Sequence, residues 1–241
     1  MASSAPIGFF DSGVGGLAIR DAVIKRLHFE STIYIADKAN CPYGPKPPEF
    51  VRERSAAITE TLLAQSCKAI VLACNTATAV AIDHLREKWP DVPFIGMEPA
   101  VKPAAAETRS GVICVLATSR TFEGRHFRET CERFASGVKV IPVAADEFVE
   151  MVERGETWGL FVEKAIRAKI EPALNEGADR IVLGCTHFPK MAKAIARVAS
   201  HRATLIDPAP AIAAQVERVL RDRSLLATPP VMPVQRMMDA P

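Results

Sequence analysis

Short apolar runs alternate with longer amphipathic stretches along the whole chain. Runs suited to buried parallel strands fall near 6–10, 32–36, 69–73, 93–96, 111–116, 138–143, 180–184 and 203–206. Stretches with helical spacing lie between them, as at 50–66, 76–88, 121–134 and 189–199. Within 76–88, Ala79, Ile82 and Leu85 follow that spacing, and Arg86 is free to face solvent. The alternation predicts an α/β protein with parallel sheets and right-handed crossovers. Pro172 is expected to kink or split the helical stretch 160–176. The last segment, 226–241, carries several prolines and no periodicity, which predicts a disordered tail.

The pattern also doubles. Ile70-Val71-Leu72-Ala73-Cys74-Asn75-Thr76 is echoed by Ile181-Val182-Leu183-Gly184-Cys185-Thr186-His187, each on the third strand of its half. The first strand of one half ends in Asp11-Ser12 and that of the other in Thr118-Ser119. The expectation is two similar parallel-sheet α/β domains related by pseudo-two-fold symmetry. The first comprises 1–97 plus 208–225, its last helix returning after Asp207-Pro208, and the second comprises 98–207. Open α/β sheets bind ligands beyond the carboxyl ends of their strands, so an interdomain active-site cleft is expected.

Composition narrows the class. A net charge of +2 with scattered Lys and Arg gives no nucleic-acid footprint. No run approaches the roughly 20 apolar residues a membrane span needs. The start, MASSAPIGFFDSG, lacks the features of a secretory signal, which points to a cytoplasmic protein. The 6 cysteines form no CxxC pair, so neither a disulfide framework nor a zinc site is expected. Cys67, Cys114 and Cys131 read as small buried hydrophobes.

Cys74 and Cys185 read differently. A buried strand that stops at a cysteine followed by Asn-Thr or Thr-His sets a thiol at a strand tip with hydrogen-bonding neighbours. Two such thiols suit a reaction that removes a proton from one face of a carbon and returns it to the other. A thiol with a resting pKa of about 8.5 can serve as acid or as thiolate base. Helices expected to begin at 76 and 188 would favour the thiolate. Asn75, Thr76 and Thr186, with backbone N–H groups, could bind carboxylates and stabilise developing charge. No lysine stands in these clusters, so pyridoxal phosphate is not required. A rival reading exists: Gly13-Val14-Gly15-Gly16-Leu17-Ala18 fits a dinucleotide-binding turn, with Asp37 at the end of the second strand. That reading would make the chain a nicotinamide-dependent dehydrogenase, and it leaves the cysteines without a role.

FFDSGVGGL at 9–17, CPYG at 41–44, ACNTATA at 73–79, GCTHFP at 184–189 and IDPA at 206–209 resemble the motifs of the glutamate racemase family. The resemblance implies a cofactor-independent racemase that makes D-glutamate for peptidoglycan, a cytoplasmic homodimer with no membrane or nucleic-acid partner. It implies Cys74 and Cys185 as catalytic, with Asp11 assisting the first and His187 the second. It implies substrate binding by Asp11, Ser12, Pro42, Tyr43, Gly44, Asn75, Thr76, Thr118, Thr121, Thr186 and His187. Glu123 stands where the family usually has serine, and Glu153 resembles a family acidic position. Relatives acting on aspartate usually have glutamate in place of His187 and lack the DSGVGG phrase, so glutamate is favoured over aspartate. A hydantoin- or maleate-type reaction of the same superfamily is the remoter alternative.

Overall fold

Every apolar run forms a strand. The computed structural model describes residues 4–229 and 232–241. The chain divides into two units, Met1–Met97 with Ala209–Pro241, and Glu98–Pro208. The first unit runs β1 (Ile7–Asp11), α1 (Leu17–Arg26), β2 (Thr32–Ala36), a 3-10 turn (Lys38–Asn40) and α2 (Pro48–Ala64). It continues through β3 (Ala69–Leu72), α3 (Asn75–Lys88) and β4 (Phe94–Gly96). The second unit holds α4 (Val101–Glu107), β5 (Val112–Ala117), α5 (Ser119–Glu123), α6 (Arg125–Phe134), β6 (Lys139–Ala144) and α7 (Asp146–Glu153). There follow α8 (Leu160–Asn175), β7 (Arg180–Gly184), a 3-10 turn (Phe188–Met191), α9 (Ala192–Ala199) and β8 (Thr204–Ile206). The chain then returns to the first unit as α10 (Ala209–Asp222) and β9 (Gln235–Asp239).

Both sheets are parallel, with strand orders β4-β3-β1-β2-β9 and β6-β5-β7-β8. Read from its other end, the second order is β8-β7-β5-β6, so the two units share one topology. The connections diverge between β1 and β3 in one sheet and between β5 and β7 in the other. Those are the switch points at which an open α/β sheet binds ligands. Each is flanked by a strand that leads into a cysteine, β3 into Cys74 and β7 into Cys185.

Burial on both faces explains the continuous apolar runs. In the first sheet Phe10, Ile33, Ile35, Ile70 and Leu72 pack with Ile58 and Leu62 of α2 and Ile82 and Leu85 of α3. Their alternates Ile7, Phe9, Tyr34 and Val71 pack with Ile19 and Val23 of α1 and Ile212, Val216 and Leu220 of α10. The second sheet repeats the plan, with Cys114, Leu116, Ile181 and Leu183 against α7, α8 and α9. Ile113, Val115 and Val182 cover α4 and α6. No helix among the described residues is long and apolar enough to cross a membrane.

Three expectations are corrected. The segment 226–241 is not a free tail: beyond the undescribed 230–231, β9 pairs with the edge of β2 over Thr32–Ala36. Val234 N–H donates to Ser31 Oγ at 3.0 Å, and Gln235 Nε2 donates to the Glu30 carbonyl at 3.1 Å. Pro172 does not split α8, which runs unbroken over Leu160–Asn175, because it stands in the last turn and forfeits only one backbone bond. The Glu176 N–H still reaches the Pro172 carbonyl at 3.1 Å. Lastly, the stretch 121–134 is broken at Gly124, whose extended backbone separates α5 from α6.

Candidate active site

In the first unit, β1 delivers Asp11 and Ser12, and β3 delivers Cys74. The two tips are locked by the Ala73 N–H, which donates to the Phe10 carbonyl at 2.8 Å. A Cβ on Gly16 would lie 2.7 Å from Ala73 Cβ, so only glycine lets α1 start this close to β3. The buried Asp11 carboxylate accepts from the Gly16 N–H through Oδ2 at 2.8 Å. Cys74 is the N-cap of α3, and its sulfur accepts from the Ala77 N–H at 3.4 Å. The Cys74 thiol donates to Ser12 Oγ at 3.9 Å, and the Ser12 hydroxyl donates to Asp11 Oδ1 at 3.5 Å. Thiol, hydroxyl and carboxylate thus form a chain along which a proton can leave the sulfur.

The neighbouring side chains fix this arrangement. Thr78, one turn into α3, donates to the Leu72 carbonyl at 3.3 Å and accepts from the Met97 N–H at 2.9 Å. Asn75 gives its amide N–H to the Met97 carbonyl at 3.2 Å, which leaves its Oδ1 as a buried acceptor with no hydrogen-bond partner.

In the second unit, β7 delivers Cys185. A Cβ on Gly184 would lie 2.7 Å from the Leu116 carbonyl oxygen, so the tip of β7 is pressed against β5 as Ala73 is against β1. The Cys185 sulfur lies 3.8 Å from His187 Nδ1, and His187 Nε2 lies 2.6 Å from Glu153 Oε1. With Nε2 turned to the carboxylate, Nδ1 is the ring nitrogen that faces the thiol. Glu153 ends α7, and the edge-on Phe148–Phe188 pair, 5.7 Å between centroids, packs that helix on the turn after His187. That turn is a short 3-10 segment rather than the start of an α-helix at 188, so helix-dipole support is weaker here than at Cys74. Thr118 and Thr121, both buried, share a hydrogen bond of 3.0 Å at the tip of β5.

Burial sets what these thiols must overcome. Desolvation pushes the Cys67 and Cys114 thiols up to about 12. A shift from 9.0 to 12 opposes the thiolate by about 4 kcal/mol. One helix end contributes no more than about 2 kcal/mol. A buried thiol therefore needs hydrogen-bonding neighbours as well, and Cys74 and Cys185 have them where Cys67 and Cys114 do not. Cys131 is half-buried rather than buried, and its thiol is raised less.

The loop 41–44 follows β2. The Cys41–Pro42 peptide is cis, and Cys41 Sγ lies 4.0 Å from Ser12 Oγ. Tyr43 is buried, with its hydroxyl donating to Asp37 Oδ2 at 2.7 Å, so its side chain is spent inside the unit. What this loop has left to offer a ligand is the backbone around Gly44. Asp37 also takes both Nε (3.0 Å) and Nη2 (2.9 Å) of Arg54 and the Asn40 amide. These bonds, with the Gly16 N–H held by Asp11, argue against the dinucleotide reading, since both its anion donor and its ribose acceptor are occupied. Glu123 is exposed and paired with Arg120 at 2.7 Å. The sequence assigns no individual role to Arg54 or Thr78, and Cys41 enters it only as the first residue of CPYG. Thr78 could have been found from its position one turn after Cys74 within ACNTATA, whereas Arg54 leaves no local signal.

The fold and these tips define a class: α/β proteins that present a buried, hydrogen-bonded cysteine at the third strand of each unit. The profile described as Asp/Glu/Hydantoin racemase matches residues 17–216, and the chain belongs to that family. It is 47% identical over 228 residues to the glutamate racemase of Ectopseudomonas mendocina, covering 95% of this chain and 87% of that protein. Among solved structures, glutamate racemase isoform RacE1 from Bacillus anthracis matches with a TM-score of 0.86 at 30% identity, covering 98% of this chain and 88% of that one. The Francisella tularensis glutamate racemase in complex with D-glutamate matches with a TM-score of 0.84 at 29% identity, covering 98% and 88%.

Proposed function

We propose that this chain interconverts L- and D-glutamate by passing the α-proton between Cys74 and Cys185, without a cofactor. The observation that carries the reading is that each thiol reaches a proton acceptor within its own unit. Cys74 reaches Asp11 through Ser12, and Cys185 reaches His187, which Glu153 orients. Deprotonation of one cysteine makes the base for one enantiomer, while the other keeps its proton and acts as the acid. In the reverse direction the roles exchange.

The remaining residues bind. The unpartnered Asn75 Oδ1 suits the substrate ammonium. The hydroxyls of Thr76, Thr118, Thr121 and Thr186 and the backbone of Pro42, Tyr43 and Gly44 supply groups for its two carboxylates. Negative charge that develops on the α-carboxylate as the proton leaves is met by these donors. The relatives bearing the name glutamate racemase, one of them complexed with D-glutamate, support this substrate over aspartate.

In deuterated water the purified protein should exchange the α-hydrogen of both glutamate enantiomers, seen by NMR, while circular dichroism follows the loss of optical rotation. Absence of exchange from either enantiomer sinks the reading. The same reading assigns the protein to the cytoplasm as a homodimer that supplies D-glutamate for peptidoglycan. Rescue of a bacterial strain that requires D-glutamate tests that supply.

A further inference from the structure

Asp37, which the sequence offers as a ribose-binding acid, has another use. Only 1% exposed, it follows the last residue of β2 and joins three pieces of the first unit. Its N–H donates to the Asp11 carbonyl at 3.0 Å, on the turn that carries Ser12. Its carboxylate accepts from the Tyr43 hydroxyl at 2.7 Å, in the loop that carries Cys41 and Gly44. It accepts twice from Arg54 of α2, at 3.0 and 2.9 Å, and once from Asn40 at 2.9 Å. The loop so held lies against the site, since Cys41 Sγ is 4.0 Å from the same Ser12 Oγ that Cys74 touches at 3.9 Å.

We propose that Asp37 is a positioning residue that fixes the 41–44 loop relative to the Asp11–Ser12 turn, with Arg54 as its counter-charge and Tyr43 as its link to the loop. The carboxylate touches no reacting atom. A bidentate Arg–carboxylate pair fixes direction as well as distance, and a short phenol–carboxylate bond leaves the loop one placement. The consequence falls on substrate binding: loosening the brace spreads the loop over many placements, few of which present its backbone to glutamate. Proton transfer at Cys74 and Cys185, once substrate is bound, is left nearly intact.

This inference rests on the racemase reading, and the two fail separately. Wild-type protein that exchanges no α-hydrogen refutes the reading. With active wild type, Tyr43→Phe, which removes only the hydroxyl, should raise KM for glutamate at least fivefold while kcat stays within about threefold. Arg54→Gln should do the same, and Arg54→Lys should recover part of the loss because it keeps the charge. Glu30→Gln provides the comparison for a purely structural effect. Glu30 and Lys68 form another carboxylate–cation pair in the same unit, 2.6 Å apart and buried on both sides, and Glu30 also accepts from the Ala227 N–H. That variant should lower the melting temperature without moving KM. The proposal is overturned if Tyr43→Phe and Arg54→Gln leave KM within twofold of wild type, or if Glu30→Gln raises KM as much as they do.

Discussion

The tips of β3 and β7 begin from one backbone plan and end in two chemistries. Each follows a small residue pressed against the neighbouring strand, Ala73 in one and Gly184 in the other, and each presents a cysteine at its switch point. After that they part. Cys74 caps a 14-residue helix, receives the Ala77 N–H, and reaches a carboxylate only through a hydroxyl. Cys185 meets a weak 3-10 turn and has an imidazole as its neighbour. Where the backbone supplies less, at Cys185, a ring nitrogen stands directly beside the sulfur; where it supplies more, at Cys74, the carboxylate is one hydroxyl removed. A duplicated fold can thus surround two equivalent thiols with different neighbours.

The largest expected effect tests whether both tips matter. Cys74→Ser and Cys185→Ser should each slow racemisation by about a thousandfold, the scale of a lost general acid–base group. Near-wild-type turnover in either variant, by circular dichroism from both enantiomers, breaks the comparison at its root.

Next comes the asymmetry itself. His187→Ala should lower kcat by about a hundredfold, because in the proposed scheme the imidazole takes the Cys185 proton directly. Ser12→Ala should cost about tenfold, since the relay it serves is long and the α3 terminus remains. Equal losses would mean that the two routes are not distinct.

Acid sharpens the contrast further. Burial raises the Asp37 carboxyl, but hydrogen bonds from Arg54, Tyr43 and Asn40 and the Arg54 charge outweigh it and hold the group below the usual carboxylate range. A depressed folded value stabilises above the unfolded value, about 3.9, and that stability is lost as pH falls through the folded one. Asp37→Asn should therefore be less stable than wild type at neutral pH, with the difference shrinking below about pH 4 in urea titrations. A gap that stays constant with pH would remove the charge from the account.

The smallest effect concerns a thiol outside either tip. Cys114→Ala should cost about 1 kcal/mol of stability and leave racemisation unchanged. A loss of activity there would show that burial alone does not separate structural from reacting cysteines.

Much of this was written in the chain, for reasons that differ by element. Strands buried on both faces leave unbroken apolar runs, so Ile70–Leu72 and Ile181–Leu183 mark themselves. Residues that sit at strand tips, such as Asp11, Asn75 and His187, inherit a location from those runs. β9 did not announce itself, because an edge strand needs no apolar alternation and its apolar partners belong to β2. The break at Gly124 was hidden because helical spacing continues across it. Arg54 is invisible for another reason: its partner is a tip residue far away in sequence, and one cation on an amphipathic helix looks like any other.

The course of the chain has a consequence during synthesis. The unit Glu98–Pro208 is one uninterrupted stretch, whereas its companion is begun first and finished last. Until α10 and β9 emerge, the apolar face that α1 shares with α10 and the outer edge of β2 stand uncovered. The nascent protein must carry an unfinished sheet with an open edge while the later-made unit already has every residue it needs. Its most vulnerable interval on the ribosome is therefore the one before α10 and β9 are made, and chaperone dependence should track the rate at which those residues are translated.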